Sequence, residues 1–243
     1  MTVADTDPGF DPDLATDLAA TALDLAKRFA AGATLWATAP TWEPHAAHIA
    51  VEFVHPVIMG KRALPAVALT GPDLVDQVRL SVSTGDIVIA VADADCAEVL
   101  SVMRRAPAWG VTTVWIGSGT RPPAGAADHV LWLEDPDPSA PTNGSFVLLY
   151  HLLWELTHVC FEHPGVLKST AGTAAVCVTC SDQGRLGEVV SEAADGTATV
   201  RTAAGIETAD SALVAPLVPG DLVLVHAGTL IGLADGEDME RNR

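Results

Sequence analysis

The sequence predicts an α/β protein in two parts, a doubly wound parallel sheet followed by a small β-barrel. Three observations carry this. From about residue 13 to 163, short Val/Ile-rich runs alternate with stretches of helical period, the pattern of strands joined by helical crossovers. After a Pro/Gly-containing stretch over 164–175, only short strand-like runs remain, broken at Asp195-Gly196, Gly205 and Pro219-Gly220. Of the 243 residues, 49% are hydrophobic and 18% charged, so the chain can bury a substantial core.

The elements follow in order. Residues 1–11 are polar, and such an end is expected to be loose. Leu14, Leu18, Ala22, Leu25 and Phe29 recur at helical spacing, and Gly32 suits the position after a helix. Strands are predicted at Ala33–Ala37, Leu64–Leu69, Asp86–Ala92, Val111–Gly117 and Val130–Leu133. Helices are predicted at Trp42–Met59, Asp73–Ser81, Cys96–Ala106 and Ser145–Phe161. The strands are apolar throughout, as when both faces of a parallel sheet are covered. Ligands of such sheets lie beyond the strand carboxyl ends, here at Thr38–Thr41, Asp93–Asp95 and Ser118–Gly125. The second part reads as strands at Val176–Val178, Arg185–Ser191, Thr197–Thr202 and Leu222–His226, with a hairpin at Asp195-Gly196. These define a domain over 13–163, a linker over 164–175, a barrel over 176–235 and a charged tail over 236–243.

Charge excludes several functions. Lys and Arg number 13 against 31 Asp and Glu, a net −18, which argues against nucleic acid or an anionic membrane as partner. No apolar run reaches the ~18–20 residues of a membrane span. Met1–Asp17 has neither a basic nor an apolar signal region, and four cysteines do not make a disulfide scaffold. The expectation is a cytoplasmic chain with reduced thiols.

Two constellations carry chemistry. On a helix over Trp42–Met59, capped by Thr41, residues His45, His48, Glu52 and His55 fall within a sector of roughly 80°. On the last helix His151, Glu155 and His158 repeat the feature, with His163 near its end. Imidazoles and a carboxylate on facing helices are the ingredients of a metal or acid–base site. The segments Ala47–Phe53, Lys61–Thr70, Gly85–Val91, Gly110–Gly119 and His151–Leu156 together resemble the sugar isomerase (SIS) fold, in its phosphoheptose isomerase branch. That resemblance implies His48, Glu52 and His151 as metal-binding and acid–base groups, Glu52 and His151 being the catalytic candidates, with a divalent metal. It places Asn143 where the family has a glutamine ligand. The family's phosphate loops are altered: Ala37–Pro44 lacks glycine and carries Trp42 and two prolines, and Ala92–Glu98 carries Asp93 and Asp95, which repel a phosphate dianion. The domain therefore reads as a degenerate SIS scaffold serving oligomerisation or docking, the alternative being a metal-dependent sugar isomerase or lyase.

The second constellation is Cys177-Val178-Thr179-Cys180. A structural zinc site needs a second ligand pair, and a thioredoxin-type motif should open a helix; neither condition holds here. The segments Cys177–Val190 and Ala212–Ile231, with P-G-D-L-V-L-V-H-A-G, resemble the HypC/HupF chaperones of [NiFe]-hydrogenase maturation. The resemblance implies an OB-like barrel that carries an Fe(CN)2CO unit. Its partners would be a HypD-type scaffold protein and the hydrogenase large-subunit precursor, and the chain itself is expected to be a homo-oligomer. Cys177 maps to the iron-binding thiolate and His226 to a second ligand or its hydrogen-bond partner. Cys180 remains a second ligand, a resolving thiol or a packing neighbour.

Overall fold

A computed structural model of the chain describes residues 12–56, 58, 60–134, 139–167 and 184–234. The first part alternates α1 (Pro12–Ala30), β1 (Leu35–Thr38), α2 (Glu43–Val54), β2 (Ala66–Leu69), α3 (Leu74–Ser81), β3 (Ile87–Val91), α4 (Ala97–Trp109), β4 (Thr112–Ser118), β5 (His129–Leu133) and α5 (Ser145–Glu162). The five strands form one parallel sheet in the order β2-β1-β3-β4-β5.

Strand alternation divides the core into two layers. Ile87, Ile89 and Val91 of β3 pack with α1, α2 and α5. Val88 and Ala90 face α3 and α4. Every residue of β3 is buried, and burying each Val or Ile side chain contributes roughly 1.5–3 kcal/mol. That is why this run is apolar without a polar phase. Gly117 in β4 answers a close approach: a Cβ there would lie 2.4 Å from the Trp132 ring. Trp132 in turn donates to the Gly119 carbonyl at 2.8 Å. Asp86 caps the start of β3, its carboxylate accepting from Thr34 N (2.8 Å), Trp36 Nε1 (3.0 Å) and Ser83 N (2.9 Å).

Three local expectations are corrected. The helix predicted over Trp42–Met59 ends at Val54, because Pro56 disfavours helical backbone at His55. Trp42 rather than Thr41 takes the N-cap position, without a side-chain cap bond. The linker begins with a helical turn, α6 (Pro164–Leu167). Residues 168–183, with the strand Val176–Val178, Cys177 and Cys180, lie outside the described residues, as does the tail from 235.

The second part is a closed barrel of five strands: β6 (Arg185–Glu192), β7 (Thr197–Thr202), β8 (Gly205–Asp210), β9 (Leu222–His226) and β10 (Thr229–Leu233). Asp195-Gly196 makes the β6–β7 turn, with Gly196 at φ +82° and Thr197 N donating to Asp195 Oδ1 at 3.1 Å. β8 and β10 are strands that the hydrophobic pattern did not single out. β8 carries apolar side chains only at Ile206 and Ala209, and Gly232 interrupts β10.

The barrel seats on α3 and α4. Leu222 packs into the layer formed by Leu74, Val78 and Trp109. At the seam Glu188 is only 2% exposed. Its carboxylate accepts from Trp109 Nε1 at 2.8 Å and lies 3.6 Å from Arg79 and 3.5 Å from Arg105. Arg105 also reaches the Gly220 carbonyl, and Arg201 the Arg79 carbonyl. Among the described residues, no helix is long and apolar enough to cross a membrane.

Candidate metal and acid–base site

The site stands between α2 and α5. Pro44 is tolerated in the first turn of α2, and the following turns project His45, His48 and Glu52 from one face. Helix α5 begins after Gly144, which sits at φ +90°. Asn143 Oδ1 accepts from Ser145 N at 3.0 Å and from its hydroxyl at 2.6 Å. The predicted glutamine equivalent is thus engaged in starting α5. Two turns on, α5 presents Tyr150 and His151.

His48 Nε2 lies 3.1 Å from His151 Nε2, and His151 Nε2 lies 3.6 Å from Glu52 Oε2. One donor atom from each of His48, Glu52 and His151 falls within 4.8 Å of the others. Glu52 is buried, while the His151 side chain is 41% exposed. Behind them Tyr150 Oη is 2.8 Å from His48 Nδ1 and 3.4 Å from His45 Nδ1. His45 Nε2 lies 2.8 Å from the Pro141 carbonyl. Burial, followed by the neighbouring His151 ring, holds the His48 imidazole below its ordinary pKa; Glu52 pulls the other way and His45 adds to the depression. Burial and the Glu52 carboxylate push the Tyr150 hydroxyl well above the ordinary tyrosine range.

The donor set suits a divalent ion. With metal–ligand bonds of about 2.0–2.1 Å in a tetrahedral arrangement, neighbouring donor atoms sit about 3.3 Å apart. The separations of 3.1 and 3.6 Å already bracket that value. Two imidazoles and a carboxylate leave a position open to water or substrate.

The other histidines separate. His55 is the C-cap of α2, and His163 caps α5. His158 is buried between the Trp154 and Arg62 carbonyls, 2.9 Å from each, so it ties α5 to the segment before β2. Glu155 faces solvent. His226 ends β9 opposite Thr229, in a turn with Ala227 and Gly228 at positive φ. Trp42 packs on Phe146 with ring centroids 5.7 Å apart, filling the loop after β1. After β3, burial and then the neighbouring Asp95 raise the Asp93 pKa. Sequence reasoning left His45 as one member of a stripe and did not single out Tyr150, whose aromatic ring on a helix reads as core.

No protein-family model and no curated protein sequence matches this chain. Among solved structures, the chain is similar to a phosphoheptose isomerase from Francisella tularensis, with a TM-score of 0.51 and 16% identity over 61% of this chain and 86% of that one. It is equally similar to a phosphoheptose isomerase from Neisseria gonorrhoeae, with a TM-score of 0.51 and 17% identity over 59% of this chain and 86% of that one. The α/β part therefore has the SIS-like fold. At these identities the likeness concerns the fold and not the activity.

Proposed function

We propose that the α/β part is a divalent-metal centre that isomerises a hydroxy-carbonyl sugar carrying no phosphate. The observation that carries this is the convergence of His48, Glu52 and His151 on one point. The SIS-like fold supports the substrate class. The aspartates after β3 and the Trp42-filled loop after β1 support the absence of phosphate. A bound metal would act as a Lewis acid on the sugar oxygens. The buried Glu52 carboxylate is the base that removes a proton from the carbon beside the carbonyl and returns it to the neighbouring carbon. His151, 41% exposed, would exchange protons with the oxygens through Nδ1, the ring nitrogen turned away from the ion. This reading predicts one zinc ion per chain by calorimetry and solvent-deuterium uptake into unphosphorylated sugars. Glu52→Gln should abolish deuterium uptake. Faster uptake into phosphorylated sugars than into their unphosphorylated counterparts would overturn the phosphate-free assignment.

A second reading attaches to the barrel and is favoured by its closed five-stranded form, with L-V-L-V-H as β9. In this reading the barrel is OB-like and carries an Fe(CN)2CO unit on Cys177 and His226, with Cys180 beside them. It passes that cargo from a HypD-type scaffold to the [NiFe]-hydrogenase large-subunit precursor, in the cytoplasm, while the α/β part makes a homo-oligomer. Exposed Val51 and Leu148, on the two site helices, support self-association. Infrared spectra of anaerobic protein co-expressed with the maturation machinery should show cyanide and CO stretches that vanish in Cys177→Ala. Their absence from the wild type would remove this reading.

A further inference from the structure

We infer that Tyr150 is a positioning residue: backed by His45 and the Pro141 carbonyl, it holds His48 in the Nδ1–H tautomer and so turns Nε2, as a bare lone pair, toward a divalent cation. The inference rests on the metal reading of the same site.

The argument begins at the carbonyl end. A carbonyl oxygen only accepts, so the 2.8 Å contact from Pro141 O fixes a proton on His45 Nε2. A neutral His45 ring, 8% exposed and packed edge-on against Phe146 and Tyr150, then has a lone pair at Nδ1. Tyr150 has one hydroxyl proton and two imidazole nitrogens within reach, His45 Nδ1 at 3.4 Å and His48 Nδ1 at 2.8 Å. Given to His45, that proton leaves the Tyr150 oxygen free to accept from a protonated His48 Nδ1, and every group in the chain is satisfied. Given to His48, it leaves His45 Nδ1 facing an oxygen with no proton to offer. The first arrangement is therefore the favoured one, since an unmet buried acceptor is costly. The chain runs from His48 through Tyr150 and His45 to Pro141, all in one direction.

Its end point is the metal-facing nitrogen. In an imidazole the hydrogen bond at one nitrogen decides what the other can do. With Nδ1 protonated, His48 Nε2 has no hydrogen where it meets His151 Nε2 at 3.1 Å, beside Glu52. Tyr150 need not touch metal or substrate to act. Outer-shell partners of this kind change metal affinity about 10–100-fold.

Nitrogen-15 NMR of histidine-labelled, metal-free protein reads the tautomer directly, and a zinc titration of the same samples reads the affinity. Wild type should show His48 protonated at Nδ1. Tyr150→Phe should move it toward the Nε2–H form and weaken zinc binding by about 10–100-fold. His45→Leu, which leaves the His48 side chain in place, should produce the same tautomer change, because Tyr150 then has only His48 left to donate to; it serves equally if Tyr150→Phe folds poorly. A His48 protonated at Nε2 in the wild type overturns the proposal, as does an unchanged spectrum and zinc affinity in both variants. Nδ1–H in the wild type without zinc uptake overturns the metal reading and leaves the tautomer lock standing.

Discussion

Two buried carboxylates, Glu52 and Glu188, have opposite surroundings. Glu188 meets an indole N–H and two guanidinium groups and is closed off at the seam between α4 and the barrel. All its neighbours are donors with no lone pair to offer, so nothing there calls for a cation. Glu52 sits with two imidazoles, one of them beside solvent. Imidazole nitrogens can be lone pairs, and three lone-pair groups pointing at one another are completed by a positive ion. The composition of the neighbourhood, more than the burial of the carboxylate, separates a structural clasp from a binding site.

The largest effect is expected at the clasp. Glu188→Ala leaves Trp109 Nε1 without its acceptor and takes the buried carboxylate from between Arg79 and Arg105, which are themselves partly exposed. Leaving a buried donor such as this indole N–H unmet typically costs about 1–3 kcal/mol, and the partly solvated arginines keep other partners. Urea unfolding should show a loss of that size, and the emission of Trp109 should change as the barrel lifts from α4. A loss under about 1 kcal/mol would make the seam incidental and collapse the distinction between the two carboxylates. The second effect is smaller and tests the other side. Glu52→Gln keeps size and shape, so the metal-free protein should unfold within about 1 kcal/mol of wild type while zinc uptake falls sharply. A cost matching that at Glu188 would make Glu52 a structural residue as well.

Legibility in sequence follows the same division. The sheet strands and their helices were legible because a buried parallel strand leaves a plain apolar run and a covering helix leaves a 3.6-residue period. His48 and Glu52 were legible because one helix turn brings them together, and His151 because its stripe sits on the partner helix. Glu188 was not: its partners lie 79 or more positions away, and a lone glutamate in a strand carries no local mark. Tyr150 was hidden for a different reason, since only the Pro141 carbonyl and two imidazoles distinguish its hydroxyl from an ordinary core tyrosine. The over-long helix through Met59 came from extending the period past a Pro56 that the backbone could not ignore.

The smallest effect comes from a carboxylate intermediate between the two. Asp24 on α1 accepts from His129 Nε2 at 3.1 Å and pairs with Arg28 at 3.4 Å, with a third of its side chain exposed. Its pKa is depressed, chiefly by the His129 hydrogen bond; burial opposes this and Arg28 reinforces it. A carboxyl with a folded-state pKa below its unfolded value of about 3.9 contributes stability above that value, and loses it as pH falls through the folded value. Solvent screening holds the contribution to a few tenths of a kcal/mol, up to ~1. Asp24→Asn should therefore lower the urea midpoint slightly at pH 7, and wild type and variant should converge as pH falls through the depressed folded-state value. A gap that persists in acid would mean that Asp24 acts through shape and neutral hydrogen bonds, as an amide would, and that α1 is not held to β5 by charge.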